Sequence, residues 1–203
     1  PRSGYRIDEI GITPRGSSIA LTDEPERSKK QAILSVVVPI YNNGAHLLHK
    51  CIASLRRSSI FEQLEIVLVD DGSTDSATIQ AIDQLERELN WVQVYRFEQG
   101  GSGSASRPRN KGLDMASCDY VTYLDPDNEA LNDAYVKLLH AVIETDADFA
   151  VGDMTRWRGS NSAVRYTKFL QDRLDIVERV GRGGAQALID MKFMPISIQA
   201  LVA

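Results

Sequence analysis

Cysteine, histidine and long apolar runs are scarce in this sequence. Its 203 residues hold two cysteines, Cys51 and Cys118, each in an apolar stretch. Two isolated cysteines cannot staple a disulfide scaffold, and they read as buried free thiols in a reducing compartment. Together with three histidines (His46, His49, His140) they give no zinc-ligand spacing. No run of 18 apolar residues occurs, so no membrane-spanning helix is expected. The chain starts at Pro1 without a signal peptide, as a piece excised from something longer would. No phosphate loop of the form G-x-x-x-x-G-K-S/T is present. The Gly-rich stretch Gly100–Gly103 does not spell G-x-G-x-x-G and follows the third expected strand, which argues against a dinucleotide oxidoreductase.

What is present is the composition of an ordinary globular protein, 43% hydrophobic and 25% charged. The length suits one domain with an extension, or one domain and part of a second. Net charge is −5 but unevenly spread: residues 1–30 carry +1, residues 31–153 carry −10 and residues 154–203 carry +4. The acidic middle argues against a nucleic-acid partner and suits a divalent cation. The basic tail suits phosphates or an anionic lipid surface, though a solvated helix face explains it as well.

Residues 1–30 read as an extension, with a turn at Gly11–Gly16 between strand-like pieces at Tyr5–Ile10 and Ser18–Leu21, then a charged linker from Glu24 to Lys30. From Ile33 the pattern is regular. Ile33–Ile40 and Leu64–Asp70 are near-continuous apolar runs, as strands covered on both faces require. Further strands are expected at Trp91–Phe97, Tyr120–Leu124 and Phe149–Val151. Between them fall helices from Asn42 or Asn43 to about Ser58, from Asp75 to about Asn90, up to about Ala116, and over Leu131–Glu144. This alternation predicts an α/β domain with a mainly parallel sheet over 31–154. In 155–203, Trp157–Asn161 reads as a loop, Ala163–Val180 and Ala185–Lys192 as helices, and Met194–Ala203 as an extended start of an acceptor-side region.

Open α/β sheets bind ligands beyond the carboxyl ends of their strands. After the first strand come Pro39, Tyr41, Asn42 and Asn43; after the second Asp70, Asp71 and Asp75. After the third come Gly100–Gly103 with Arg107 and Arg109; after the fourth Asp125 and Asp127. Asp125–Pro126–Asp127 suits a hard cation shared with phosphates, and alone suits a turn that merely ends a strand. Thr74 or Asp75 can cap the second helix, which leaves one of two adjacent aspartates free for a ligand. Tyr41 suits either a packing aromatic or a ring stacked on a base.

SVVVPIYNNGAHLLHKCIASL, EIVLVDDGSTD, SRPRNKGLDMA and YVTYLDPDN stand in this order and spacing. They strongly resemble the family 2 glycosyltransferases of the GT-A fold, over about Ile33–Met154. The resemblance implies inverting transfer of a sugar from a nucleotide-sugar donor, with uridine the expected base, to a glycan or lipid-linked acceptor. It places Pro39 and Tyr41 beside the base, Asp71 on the base, and Asp125 near the ribose and diphosphate. Asp127, with Asp125, would hold Mg²⁺ or Mn²⁺. Arg109 and Asn110 match the family's Ala-Arg-Asn-x-Gly helix start with Pro108 in place of Ala, which leaves Arg107 or Arg109 as the arginine. The general base belongs to a later segment in the family. Asp153, Asp172 and Asp190 are weak candidates here, so the chain is expected to hold the donor half of a site without its base. The expected setting is cytoplasmic, with peripheral association at the inner face of the membrane. A non-catalytic nucleotide-sugar-binding module is the main alternative. A haloacid-dehalogenase-type D-x-D phosphatase is the lesser one, because there the D-x-D follows the first strand.

Overall fold

The computed structural model describes residues 31–131 and 133–152, together with strands at 5–8, 11–14, 155–158, 162–165 and 200–202. Its centre is a six-stranded sheet. In chain order the strands are β3 (Leu34–Ile40), β4 (Leu64–Asp70), β5 (Gln93–Arg96), β6 (Val121–Tyr123), β7 (Phe149–Val151) and β10 (Ala200–Val202). The spatial order is β5-β4-β3-β6-β10-β7. The β5, β4, β3 and β6 strands pair in parallel, while β10 lies antiparallel to both β6 and β7. A mainly parallel α/β sheet is therefore present as expected, and Ala200–Val202, from the region read as acceptor-side, forms one of its inner strands.

The apolar runs become β3 and β4, and every residue of both is buried. Alternation divides their side chains between two faces. Leu34, Val36, Val38 and Ile40, with Leu64, Ile66 and Leu68, face the larger core, under α3 (Ser76–Glu88) and α5 (Ala134–Thr145). Val37, Val67 and Val69 face a smaller cluster with Tyr95, Phe97, Met115 and Tyr123, beneath α4 (Ser106–Met115). Gly112 lets α4 lie close to β3, since a Cβ there would come within 2.1 Å of Val37 Cγ1. The helices bury residues at helical spacing: Thr78, Ala81, Ile82 and Leu85 on α3, and Tyr135, Leu138, Leu139 and Val142 on α5.

Pro39 sits inside a central strand, where a missing N–H usually leaves a neighbour unpaired. Here Ser35 N–H donates to Tyr120 and Val37 C=O accepts from Leu124 N–H, so the odd-numbered residues of β3 bond toward β6. The paired part of β6 ends at Tyr123, opposite Val37. Pro39 lies past that end, so its absent N–H has no strand to serve.

Several local expectations are corrected. Residues 44–56 form one helical run with a wide turn inside it: α1 (Gly44–His46), a π-helical segment (Leu47–Ile52) and α2 (Ala53–Arg56). Neither Asn42 nor Asn43 caps it with a side chain; Thr78 Oγ1 of α3 accepts from Gly44 N–H at 2.8 Å instead. In the extension, β1 (Tyr5–Asp8) pairs antiparallel with β2 (Gly11–Pro14), so a strand stands where a turn was expected. Trp157 and Arg158 belong to β8 (Thr155–Arg158), not a loop, and Ala163–Arg165 to β9 (Ser162–Arg165), not a helix. β-branched and aromatic side chains favour pairing across the Gly159–Asn161 connection over helix. The expected pieces at 18–21, 166–180 and 185–192 lie outside the described residues. Cys51 is buried, but Cys118 is only partly so. Among the described residues no helix is long and apolar enough to cross a membrane.

Candidate functional site

The adjacent aspartates at the end of β4 have different jobs. Asp70 closes the turn: its Oδ1 accepts from Ser73 N–H at 3.0 Å and Ser73 O–H at 2.6 Å. Asp75 caps α3, accepting from the N–H groups of Ala77 and Thr78. Asp71, the residue left over, is 3% exposed and turns toward the next loop. Its Oδ2 accepts from Ser102 N–H and Ser102 O–H, each at 2.7 Å, and its Oδ1 accepts from Arg107 Nε at 2.7 Å. Burial would raise its carboxyl, but the two Ser102 hydrogen bonds and the Arg107 guanidinium outweigh that and hold it below its ordinary range.

The Gly-rich connection after β5 is pinned across this edge. Gly100 N–H donates to Gly72 C=O at 3.0 Å, and Ser102 holds Asp71. Gly101 lies against the ring of Tyr41, where a Cβ would approach Cε2 to 2.6 Å. Gly101 has φ +66°, so the contact and the backbone both require glycine. Asn42, at φ +48°, ties the end of β3 to the same region, its Oδ1 accepting from Thr74 N–H and Asp75 N–H at 2.9 Å. Tyr41 and Asp71 thus converge through one loop. Pro39 is buried in β3, two residues before Tyr41.

The second carboxylate group follows β6. Asp125 Oδ1 accepts from Arg109 Nη2 at 2.6 Å, and the Arg109 guanidinium lies 5.9 Å from the centre of the Tyr123 ring. Arg109 Nε is buried and lacks a hydrogen-bond partner among the described residues. Asp127 is exposed. Among the described residues no three His, Cys, Asp or Glu side chains cluster as a metal cage. Beneath this turn lies Cys51, whose thiol burial pushes far up, with the charges of Asp125 and Asp127 adding to it. It is inert packing, not a nucleophile.

The two arginines have different partners: Arg107 pairs with Asp71 and Arg109 with Asp125. Sequence reading missed Ser102, whose role depends on where the loop folds back. It also missed Glu65, a carboxylate 8% exposed within β4. A groove of about 670 Å³ opens near Glu65, between Phe61, Leu64, Arg87 and Trp91, but at the opposite edge of the sheet. Asp153, Asp172 and Asp190 lie outside the described residues.

The model of glycosyl transferase family 2 matches residues 35–194, most of the chain and well past Met154. The chain belongs to this family. Its match to GlyG of Streptococcus pneumoniae serotype 4 is 35% identical over 121 residues, 60% of this chain and 38% of GlyG. A Campylobacter jejuni relative, GalNAc(5)-diNAcBac-PP-undecaprenol beta-1,3-glucosyltransferase, is 34% identical over 113 residues, 55% of this chain and 35% of that one. The structure of Staphylococcus aureus TarS 1-349 in complex with UDP-GlcNAc superposes with a TM-score of 0.55 at 30% identity, covering 64% of this chain and 36% of TarS. The fold is thus the GT-A fold. The chain spans well under half the length of each of these proteins.

Proposed function

We propose that this family 2 chain binds a nucleotide-sugar donor, a UDP-sugar, at the carboxyl edge of β3, β4 and β6, and serves inverting transfer of the sugar to a glycan or lipid-linked acceptor. The observation that carries the reading is the convergence of Tyr41, Asp71 and Arg107 on one side and Arg109, Asp125 and Asp127 on the other. An aromatic face beside a hydrogen-bonding carboxylate suits a base, and a cation beside hard oxygens suits a diphosphate. The UDP-GlcNAc bound by TarS and the undecaprenol-linked substrate in the Campylobacter enzyme's name support donor and acceptor classes.

A divalent cation fits the residues present. Mg²⁺ bound with substrate phosphates needs only one or two protein carboxylates, so a three-ligand cage is not required. Exposed Asp127 and neighbouring Asp125 would hold Mg²⁺ or Mn²⁺ there. When bound, the ion offsets the negative charge that grows on the leaving diphosphate. Arg109 is held in place by Asp125 while 34% of its side chain stays exposed, so its guanidinium is a fixed cation on the same side. Tyr41 and the pinned loop orient the nucleoside so that this charge develops beside Arg109. The test is calorimetric titration of the chain with UDP, with and without Mn²⁺. Mn²⁺ should tighten UDP binding about tenfold or more, and Asp127→Ala should abolish that enhancement. Full metal dependence in the variant, or no binding of UDP by the wild type, would overturn the reading.

A further inference from the structure

The wide turn in the first helical run is a feature that the nucleotide reading leaves unused. Just past it, in α2, Ser54 is buried at 1% exposure. Its hydroxyl works in two directions: it donates to the Cys51 carbonyl at 2.7 Å and accepts from Ala130 N–H at 3.0 Å. Ala130 stands three residues after Asp127, in the loop that leaves β6. A second tie follows farther along this loop. Asp133 takes left-handed backbone, φ +54°, and its Oδ1 accepts from Ser58 O–H at 3.0 Å and Ser59 N–H at 2.8 Å. Those bonds, led by Ser59 N–H, hold its carboxyl below its ordinary range. An Arg57–Glu129 ion pair spans the same seam, but at 58% and 38% exposure it adds little. On the near side of the loop, Asn128 N–H donates to Asp125 C=O at 3.0 Å and closes a turn around Asp127.

Resting on the nucleotide and cation reading of this edge, we propose that Ser54 and Asp133 are positioning residues: they anchor the loop after Asp127 to the first helical run, so that the Asp127 carboxylate stands where a divalent cation can share it with the diphosphate. Asp127 is exposed, so packing does not hold its side chain, and the backbone decides where its carboxylate stands. The turn closed by Asn128 can pivot as a unit unless its far side is held, and Ala130 and Asp133 supply that hold. A cation of this kind takes one or two protein carboxylates and demands close geometry, so a small displacement of one of them loses much of what the ion adds. Ser54 suits the task chemically. Its own proton is engaged by the Cys51 carbonyl, which leaves a lone pair facing outward for the Ala130 N–H. Ser54 is too buried to touch a ligand itself. The base side, built on Tyr41 and Asp71, does not pass through either anchor, so the two residues act on the cation-dependent part of nucleotide binding alone.

The experiment titrates the 203-residue chain with UDP by calorimetry, with and without Mn²⁺, in wild type, Ser54→Ala and Asp133→Ala. In each variant the metal-free affinity should stay within about twofold of wild type, while the Mn²⁺ enhancement falls from about tenfold to about threefold or less. A residue that only supports the fold would move both affinities together or neither. Full enhancement in either folded variant overturns the proposal, as does equal weakening with and without the metal. If Ser54→Ala does not fold, as circular dichroism would show, Asp133→Ala decides by the same criterion, since its side chain is less buried. The proposal fails alone when wild type shows the enhancement and the variants keep it. A wild type that binds UDP with no Mn²⁺ enhancement overturns the cation reading and the proposal with it, and a wild type that binds no UDP removes the nucleotide reading as well.

Discussion

The two ends of the parallel sheet handle carboxylates in opposite ways. At the start of β3 and β4, Glu65 accepts from Ser35 O–H, from Ser117 N–H and O–H at 2.8 and 2.6 Å, and from Gln93 Nε2 at 2.8 Å. Ser35 Oγ in turn accepts from Cys118 N–H at 3.2 Å. These donors are short, come from regular elements or their ends, and lock strand to strand. At the other end, Asp71 and Asp125 meet arginines that remain 41% and 34% exposed, on a surface of left-handed backbone at Asn42, Gly72, Gly100, Gly101 and Gly103. Burial does not separate the two roles, since Asp71 at 3% is more buried than Glu65 at 8%. What separates them is the partner: hydroxyls, a backbone N–H and an amide drawn from neighbouring elements mark a structural carboxylate, and a partly exposed guanidinium marks one that can serve a ligand.

The largest effect that would test this contrast is on stability. Glu65→Ala strands four donors in a buried cluster and should cost about 3 kcal/mol in urea unfolding, with UDP affinity unchanged once folded. A loss below about 1 kcal/mol would break the comparison. Next, Arg109→Met removes a partly exposed ion pair. It should change stability by less than about 1 kcal/mol while weakening UDP about tenfold. A stability loss equal to that of Glu65→Ala would put both ends of the sheet in one class.

The smallest effect is a matter of pH. The Asp71 carboxyl is held below its ordinary value of 3.8 in the folded chain. Its contribution to stability is therefore complete above that ordinary value and is lost as pH falls toward the lower, folded value. Asp71→Asn should flatten the acid limb of the stability curve below about pH 4 and leave the neutral plateau's shape alone. An acid limb identical to that of wild type would show that Ser102 and Arg107 do not favour the charged form.

Much of the scaffold could be read in advance because its cause is local. The apolar runs 33–40 and 64–70 and the helical spacing of Ile82, Leu85, Leu138 and Val142 signal their own elements. Asp75 announces a cap by standing just before a helix. The extension and the 155–165 hairpin were misread because short segments of mixed polarity take their conformation from whichever strand pairs with them. The missed cap of α1 has a similar origin. Thr78 lies 34 residues from Gly44, and no window around either residue contains the other.

The sequence by itself determined the order of strands and helices between Ile33 and Val151, the family motifs, and therefore the edge of the sheet where the acidic residues and arginines collect. Periodicity and punctuation encode these within a few residues. Only the tertiary structure decided which aspartate closes the turn and which faces the loop, which arginine serves which carboxylate, and that Glu65 is internal. Apart from the local Asp70–Ser73 turn, those outcomes depend on distances between groups 16 to 52 residues apart. In a folded chain a hydrogen bond is made by whichever donor the packing brings within 3 Å, and the linear order of residues does not carry that distance.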